Sequence, residues 1–255
     1  MQTDDKAIAK LSAMIDDSRY IIAFTGAGIS TESGIPDFRS EDGIWTKYKP
    51  IQFQDFISSA EKRRESWNMK FVMDEVIKTA QPNKGHMAVA ALYEMDKLKR
   101  VITQNIDGLH QLSGIPDSNV IELHGNSTYA KCLDCGKHFE LNGLKVQFQK
   151  TDMPPVCGVC NGYIKTATIS FGQPMPIFEM QEAETETQSC DLFLVIGSSL
   201  VVYPAAGFPQ IAKQNGSKLV IINRDETGLD NIADLVLHHE IGETLSKAVE
   251  ILKNQ

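Results

Sequence analysis

The chain has 255 residues, 42% of them hydrophobic, which suits one large α/β domain or a domain with a small insert. Its formal net charge is −8 and its pI about 5.3. That balance argues against sequence-independent nucleic-acid binding, which runs on clustered Lys and Arg, and suits a basic, lysine-bearing partner slightly better.

The segment Met1 to Lys10 carries Asp4 and Asp5 and no positive lead before an apolar run, so no secretory signal is expected. Ala7, Ile8, Leu11, Met14 and Ile15 recur at helical spacing and predict an amphipathic helix. Tyr20 to Thr25 reads as a buried strand entering a tight turn. Gln54 to Ala80 reads as one charged helix with Phe56, Ile57, Trp67, Phe71 and Ile77 inside, ended by Pro82. Met87 to Lys99 predicts a second helix. Arg100 to Gln104 and Asn119 to Leu123 predict strands. Leu192 to Ala212 carries no charge and is long enough to cross a bilayer. Gly197, Ser198, Ser199, Pro204, Pro209 and Gln210 break it up, so it reads as a buried strand, a loop and a short helix. Phe193 to Ile196 and Leu219 to Ile222 have the apolar, β-branched character of strands covered on both faces. Ile241, Leu245, Ala248, Val249 and Leu252 predict a closing helix. Strands alternating with helices imply an α/β fold, a doubly wound parallel Rossmann-like sheet. The stretch 126–165 does not join the alternation and reads as an insert.

Four of the five cysteines form two tight pairs, Cys132 with Cys135 and Cys157 with Cys160. Each pair spans a turn that aims two thiolates at one tetrahedral metal, and the spacing favours zinc over redox-active dithiols. Gly136 and Gly162 follow the pairs, where a tight backbone is useful. Four thiolates leave no open coordination position, so the expected zinc is structural. The fifth, Cys190, reads as a small, inert residue leading into a strand.

Gly26-Ala27-Gly28 follows a strand, and such glycines let backbone N–H groups approach a pyrophosphate at a helix N-terminus. The pattern departs from a hydride-transfer site, because Thr31 stands where a third glycine would fall. Instead the chain continues through Ser33-Gly34-Ile35-Pro36-Asp37-Phe38-Arg39, a loop able to close over a cofactor.

These residues resemble the sirtuin family of NAD-dependent protein-lysine deacylases. The resemblance extends to Thr103-Gln104-Asn105-Ile106-Asp107-Gly108-Leu109-His110, Glu122-Leu123-His124-Gly125, the four cysteines, Phe171-Gly172, Gly197-Ser198-Ser199-Leu200 and Ile221-Ile222-Asn223. Val201-Val202-Tyr203-Pro204-Ala205-Ala206 resembles bacterial members most. The resemblance implies one catalytic domain over 1–255. Its Rossmann-like part would comprise 1–40, 86–125 and 166–255, and its small part a helical stretch 41–85 and a zinc module 126–165.

The implied reaction cleaves the nicotinamide–ribose bond of NAD and moves the acyl group of an acyl-lysine protein to ADP-ribose. His124 matches the family's general base, a task that suits an imidazole with a pKa near neutrality. Asn105, Ile106 and Asp107 match the nicotinamide end, and Gln104 a ribose. Ala27, Thr31, Phe38 and Arg39 match the pyrophosphate and the reacting sugar. Gly197, Ser198 and Ser199 match the adenosine half, Asn223 its ribose, and Ile241 the adenine. Ile169, Phe171, Gly172 and Val201 match the strands between which the acyl-lysine lies extended. His110 is expected to support its loop, and His86, His138, His238 and His239 to be structural or at the surface.

Gln173 and Thr166 stand where the family usually has Glu and Pro, and bear on peptide preference. Ile44 and Lys47 occupy the spacing at which members that remove acidic acyl groups carry Tyr and Arg, so acetyl or longer neutral acyl chains are expected. The alternative activity is ADP-ribose transfer to another acceptor, or NAD hydrolysis; a third reading is a non-catalytic NAD or ADP-ribose sensor, which would not need His124. Expected besides are a cytoplasmic address, no membrane or nucleic-acid partner, and a monomer.

Overall fold

The computed structural model describes residues 2–37, 43–47 and 49–254. The strands are β1 (Ile21–Thr25), β2 (Leu98–Thr103), β3 (Val120–Glu122), β4 (Gly125–Cys132), β5 (His138–Glu140), β6 (Ile164–Thr168), β7 (Leu192–Ile196), β8 (Lys218–Ile222) and β9 (Leu235–Leu237). The first helices are α1 (Gln2–Asp17), α2 (Ile44–Lys47), α3 (Phe53–Ser58), α4 (Ala60–Ile77) and α5 (Lys84–Glu94). The remaining helices are α6 (Leu109–Leu112), α7 (Leu141–Thr151), α8 (Ile177–Ser189), α9 (Phe208–Gln214) and α10 (Ile241–Lys253).

Six strands form one parallel sheet in the order β3-β2-β1-β7-β8-β9. Its strands alternate their side chains between two apolar faces. Ile21, Ala23, Leu192, Leu194, Val220 and Ile222 pack under α1, α5 and α10. Ile22, Phe24, Phe193, Val195, Leu219 and Ile221 pack under α8 and α9. Every residue of β1 and β7 is buried, as a central parallel strand requires. The chain runs outward from β1 to β3, then restarts at β7 and runs the other way. The switch point therefore lies between the carboxyl ends of β1 and β7, where open α/β sheets hold their ligands.

The second sheet is antiparallel, β5-β4-β6, and occupies the stretch the sequence set aside as an insert. Its core joins Trp67 and Phe71 of α4 to Leu141, Leu144 and Phe148 of α7, and includes Cys132 and Cys157. The guanidinium of Arg63 lies 3.7 Å over the Tyr163 ring and donates to the carbonyls of Phe56 and Ile57, which fixes α3 and α4 against this module.

Two expectations are corrected. The single helix over 54–80 is two, because Ser59 is extended (φ −122°, ψ 121°) and its hydroxyl caps α4 by accepting from the Lys62 amide. The helix expected over 87–99 is α5, starting earlier and stopping at Glu94. Asp96 adopts a left-handed conformation (φ 57°) and Leu98 already begins β2. A charged run carries helical periodicity through both breaks, so periodicity alone does not reveal them.

The two loops at the switch point interlock through glycine. A Cβ on Gly26 would stand 2.7 Å from the Gly197 carbonyl oxygen, one on Gly28 2.8 Å from the Gly197 Cα, and one on Gly197 2.4 Å from the Ile29 amide. Gly197 is also left-handed (φ 65°). Gly197→Ala should therefore cost about 2–4 kcal/mol through overlap and backbone strain. Thermal unfolding should show a Tm lowered by on the order of 10 °C; an unchanged Tm would show that the loops can part without loss.

Candidate active site and metal centre

The carboxyl ends of the parallel strands wall one cavity of about 620 Å³. β1 contributes Ala27 and Thr31, β2 contributes Gln104, Asn105 and Ile106, and β3 contributes His124. β7 adds Gly197, Ser198 and Ser199, β8 adds Asn223, and the start of α10 adds Ile241. The run after β6 adds Ile169, Phe171 and Gly172. Sequence motifs spread over most of the chain thus meet on one wall, because most follow strands of the parallel sheet and the run at 169–172 arrives beside them from β6 of the small sheet.

Hydrogen bonds hold these residues in place. The Gly26 amide donates to the Ile196 carbonyl (3.0 Å) and the Gly28 amide to the Gly197 carbonyl (2.9 Å). Both glycines thus serve the close approach of two loops, and their amides are committed within the protein instead of facing a phosphate. Gln104 Nε2 donates to Ser198 Oγ (2.9 Å), which links the ends of β2 and β7. Asn105 Nδ2 donates to the Gly26 carbonyl and to Ser30 Oγ, both at 3.1 Å. Asp107 accepts from Ser30 Oγ (2.7 Å) and from the Leu109 amide (2.9 Å). Asp107 stands one layer behind the main cavity and lines a second, adjoining one of about 180 Å³ with Ala27, Asn105 and Ile106.

His124 is half-buried in the cleft wall. Its Nδ1 lies 3.1 Å from the Gln104 carbonyl. A carbonyl only accepts, so Nδ1 carries the proton and Nε2 the lone pair of the neutral ring. Its own carbonyl accepts from the Ile169 amide (2.8 Å), so the imidazole and the strand edge at 169–172 are positioned together.

Among the described residues, two expected ones, Asp107 and Val201, stand apart from this wall. Phe38 and Arg39 lie outside the described residues. Val201 is 58% exposed and lines neither cavity; Leu200 before it is left-handed (φ 55°) and buried, which leaves Val201 outside. The rim brings in residues the sequence did not single out, Glu32, Arg224, Asp225 and Glu240, and also His239, which had read as structural or at the surface. Charged residues in loops are ordinarily solvated, so only the fold reveals them here.

His110 donates from Nε2 to Thr25 Oγ1 (2.9 Å), since Thr25 gives its own proton to Thr103 Oγ1 (2.8 Å). Thr103 Oγ1 accepts from the Asn105 amide (3.0 Å), so the histidine supports the loop it belongs to. Burial pulls His110 down to about 3, helped by neighbouring His86, and burial pulls His86 down to about 4 against the opposing charge of Asp107. The unfolded chain, with histidines near 6.5, then binds more protons than the folded one between those values, so stability is lost as pH falls below about 6.5. Each ring contributes up to about 1.4 kcal/mol per pH unit. Urea titrations between pH 5 and pH 6.5 should show this slope, and His110→Gln should remove roughly half of it; an unaltered slope would assign the acid sensitivity to carboxylates.

The four cysteine sulfurs lie within 4.8 Å of one another. Cys132 and Cys160 are 3.4 Å apart and Cys135 and Cys157 3.7 Å, close to the edge of about 3.8 Å expected for four thiolates around zinc. A Cβ on Gly162 would meet Cys132 Sγ at 2.8 Å, so this glycine admits the sulfur. The amides of Val159 and Cys160 pull the Cys157 thiol below its usual range, which favours the ligating thiolate. These residues fit a structural zinc ion. Because Trp67 shares the core of Cys132 and Cys157, stripping zinc with a strong chelator should unfold the module and shift Trp67 fluorescence toward that of exposed indole. Chelation that removes zinc and leaves the emission unchanged would contradict the coupling. Cys190 is buried, with burial raising its thiol to about 11, so it is inert as expected.

A doubly wound sheet with a deep cleft at its switch point and a closed tetrathiolate module defines a nucleotide-binding α/β protein with a metal-stapled insert. Comparison with known proteins narrows this. Residues 26–204 match the model of the Sir2 family. The chain is 55% identical over 242 residues to the "NAD-dependent protein deacetylase 1" of Bradyrhizobium diazoefficiens, covering 95% of each chain. It is 42% identical to the "NAD-dependent protein deacylase 2" of Archaeoglobus fulgidus, covering 96% of each. A Sir2 enzyme solved with a deacetylated peptide and acetyl ADP ribose superposes with a TM-score of 0.86 at 36% identity, over 95% of this chain and 97% of that one. The chain belongs to the Sir2 family.

Proposed function

We propose that this protein is an NAD-dependent protein-lysine deacylase, active on acetyl-lysine, that moves the acyl group to ADP-ribose. The observation that carries the reading is His124, held in the cleft wall by the Gln104 carbonyl with Nε2 as its basic nitrogen. NAD-dependent deacetylases among its relatives, alike over almost their whole length, support it.

Bound NAD supplies an ADP-ribosyl acceptor and nicotinamide as the leaving group. Asn105 and Asp107, buried and pinned to Ser30, hold a carboxamide where the main cleft meets the adjoining inner cavity. Ala27 and Thr31, with Phe38 and Arg39 of the adjoining loop, take the pyrophosphate and the reacting sugar. Gly197, Ser198, Ser199, Asn223 and Ile241 take the adenosine half, and Gln104 a ribose hydroxyl. His124 takes a hydroxyl proton at Nε2, which makes the oxygen nucleophilic toward the acyl carbon. The edge at Ile169, Phe171 and Gly172, with the run after Leu200 that includes Val201, pairs with an extended peptide through main-chain hydrogen bonds. Four cysteines hold zinc away from the reacting groups. We infer a division into a nucleotide-binding part (1–40, 86–125, 166–255) and a small part (41–85 and 126–165). No helix among the described residues is long and apolar enough to cross a membrane. We infer a monomeric enzyme with a cytoplasmic address.

Mass spectrometry of a reaction with NAD and an acetyl-lysine peptide should show O-acetyl-ADP-ribose, nicotinamide and deacetylated peptide in equal amounts. His124→Ala should lower turnover by about 10²–10⁴-fold with its melting temperature kept. Nicotinamide release without O-acetyl-ADP-ribose would replace this reading by transfer to another acceptor or to water.

A further inference from the structure

We propose that Glu122 is a positioning residue for acyl transfer: its carboxylate braces the turn that carries His124 against the loop that carries Asn105 and Asp107. The inference rests on the deacylase reading and adds a residue that touches neither substrate nor cofactor. Glu122 is half-buried at the end of β3 and lines neither cavity. It opens the motif Glu122-Leu123-His124-Gly125, of which the reaction uses only the histidine.

Two side-chain amides converge on one oxygen of this carboxylate. Glu122 Oε1 accepts from Asn126 Nδ2 (2.7 Å) and from Gln111 Nε2 (2.8 Å). Asn126 is buried and stands two residues past His124, while Gln111 lies on α6, which continues the loop of Asn105 and Asp107. The other end of Asn126 is also committed, since its Oδ1 accepts from the Thr128 amide (2.7 Å). A Cβ on Gly108 would come within 3.9 Å of Asn126 Nδ2, so the same side chain lies against the loop. Main-chain bonds pin the turn on either side. The Leu123 amide donates to the Thr103 carbonyl (3.0 Å) and the Ser127 amide to the Ile106 carbonyl (2.8 Å). Between these pins Gly125 is left-handed (φ 69°) and has no side chain to fix it. The bond from Asn126 to Glu122 spans that gap.

The place is unfavourable for a carboxylate. Burial pushes the Glu122 carboxyl upward, Gln111 and Asn126 pull it back, and the like charges of Asp117 and Asp107 add to the rise. A buried acid is costly unless its hydrogen bonds are made, and here they join β3, α6 and β4 around the general base. Gln104 sets the tautomer of the imidazole, and Glu122 sets the main chain from which it projects. Misplacing a reacting group by about 1 Å can cost about 10²-fold. His124 acts once the nicotinamide bond is broken. A loosened turn therefore slows acyl transfer and leaves bond cleavage, with its reversal by nicotinamide, to run.

The test gives the full-length enzyme NAD, an acetyl-lysine peptide and isotope-labelled nicotinamide. Label exchanged into NAD is measured against peptide deacetylated. Glu122→Ala should lower kcat for deacetylation by about 10- to 10²-fold and raise the ratio of exchange to deacetylation by a similar factor. Its affinity for ADP-ribose should stay unchanged. Asn126→Ala, which removes one donor and keeps the carboxylate, should move the ratio the same way by less. Glu122→Gln, which keeps an oxygen acceptor, should recover most of the wild-type ratio. A ratio cancels any loss of folded protein, so a poorly folding Glu122→Ala still reports, and Asn126→Ala gives a second reading. A slower enzyme with an unchanged ratio in both alanine variants would make Glu122 merely structural and overturn the proposal. Wild-type kcat in both, or Glu122→Gln no better than Glu122→Ala, overturns it as well and spares the deacylase reading. A wild-type enzyme that neither exchanges label nor consumes acetyl-lysine would sink that reading and this inference together.

Discussion

The contact between Gly26, Gly28 and Gly197 is the constraint on which the site depends. Two loops leave neighbouring strands, β1 and β7, at the point where the sheet reverses its winding. They approach so closely that no side chain fits between them, and each glycine's absent Cβ is replaced by the other loop's backbone. The amides of Gly26, Gly28 and Gly197 donate to carbonyls of Ile196, Gly197 and Ile222, so the interlock extends across three strands. Everything else in the cleft is measured from this fixed floor. Asn105 is hooked to the Gly26 carbonyl, and Gln104 reaches across to Ser198.

The second layer of the site is a buried polar network. It runs from His110 through Thr25 and Thr103 to the Asn105 amide, and from Asn105 through Ser30 to Asp107. In a low-dielectric interior such a network specifies one arrangement, because a half-satisfied member is costly. Burial there holds His110 and its neighbour His86 neutral far below their ordinary range. The network also explains why Asp107 sits behind the main cleft, where it stiffens the inner wall.

The small sheet serves the large one at a seam beside His124. The His124 carbonyl accepts from Ile169, and β4 begins at Gly125 opposite Thr168 of β6. The seam sets the edge at 169–172 beside the imidazole while the four cysteines close the far end of the same module. A tetrathiolate site has no open position for chemistry, so its contribution is to hold a core too small to persist alone. A second cavity opens along this seam, between polar residues of β6 and apolar residues of α2 and α4.

Much of this was legible in the chain itself. The doubly wound sheet follows from buried β-branched runs alternating with amphipathic helices, and the metal centre from two Cys pairs, because both signals are local and set by short spacings. His124, Asn105 and Gly197 could be singled out as motifs for the same reason. The break at Ser59, the stop at Asp96 and the outward Val201 are decided by single backbone conformations inside runs of unchanged periodicity. The charged rim at Glu32, Arg224 and Glu240, and the gathering of Lys165, Ser127 and Thr166 about one cavity, belong to tertiary structure alone. Sequence fixes which chemical groups are present and how each segment repeats. Which of them face one another, and which lose their water in doing so, is settled only when the loops at the switch point close and β6 returns beside β4.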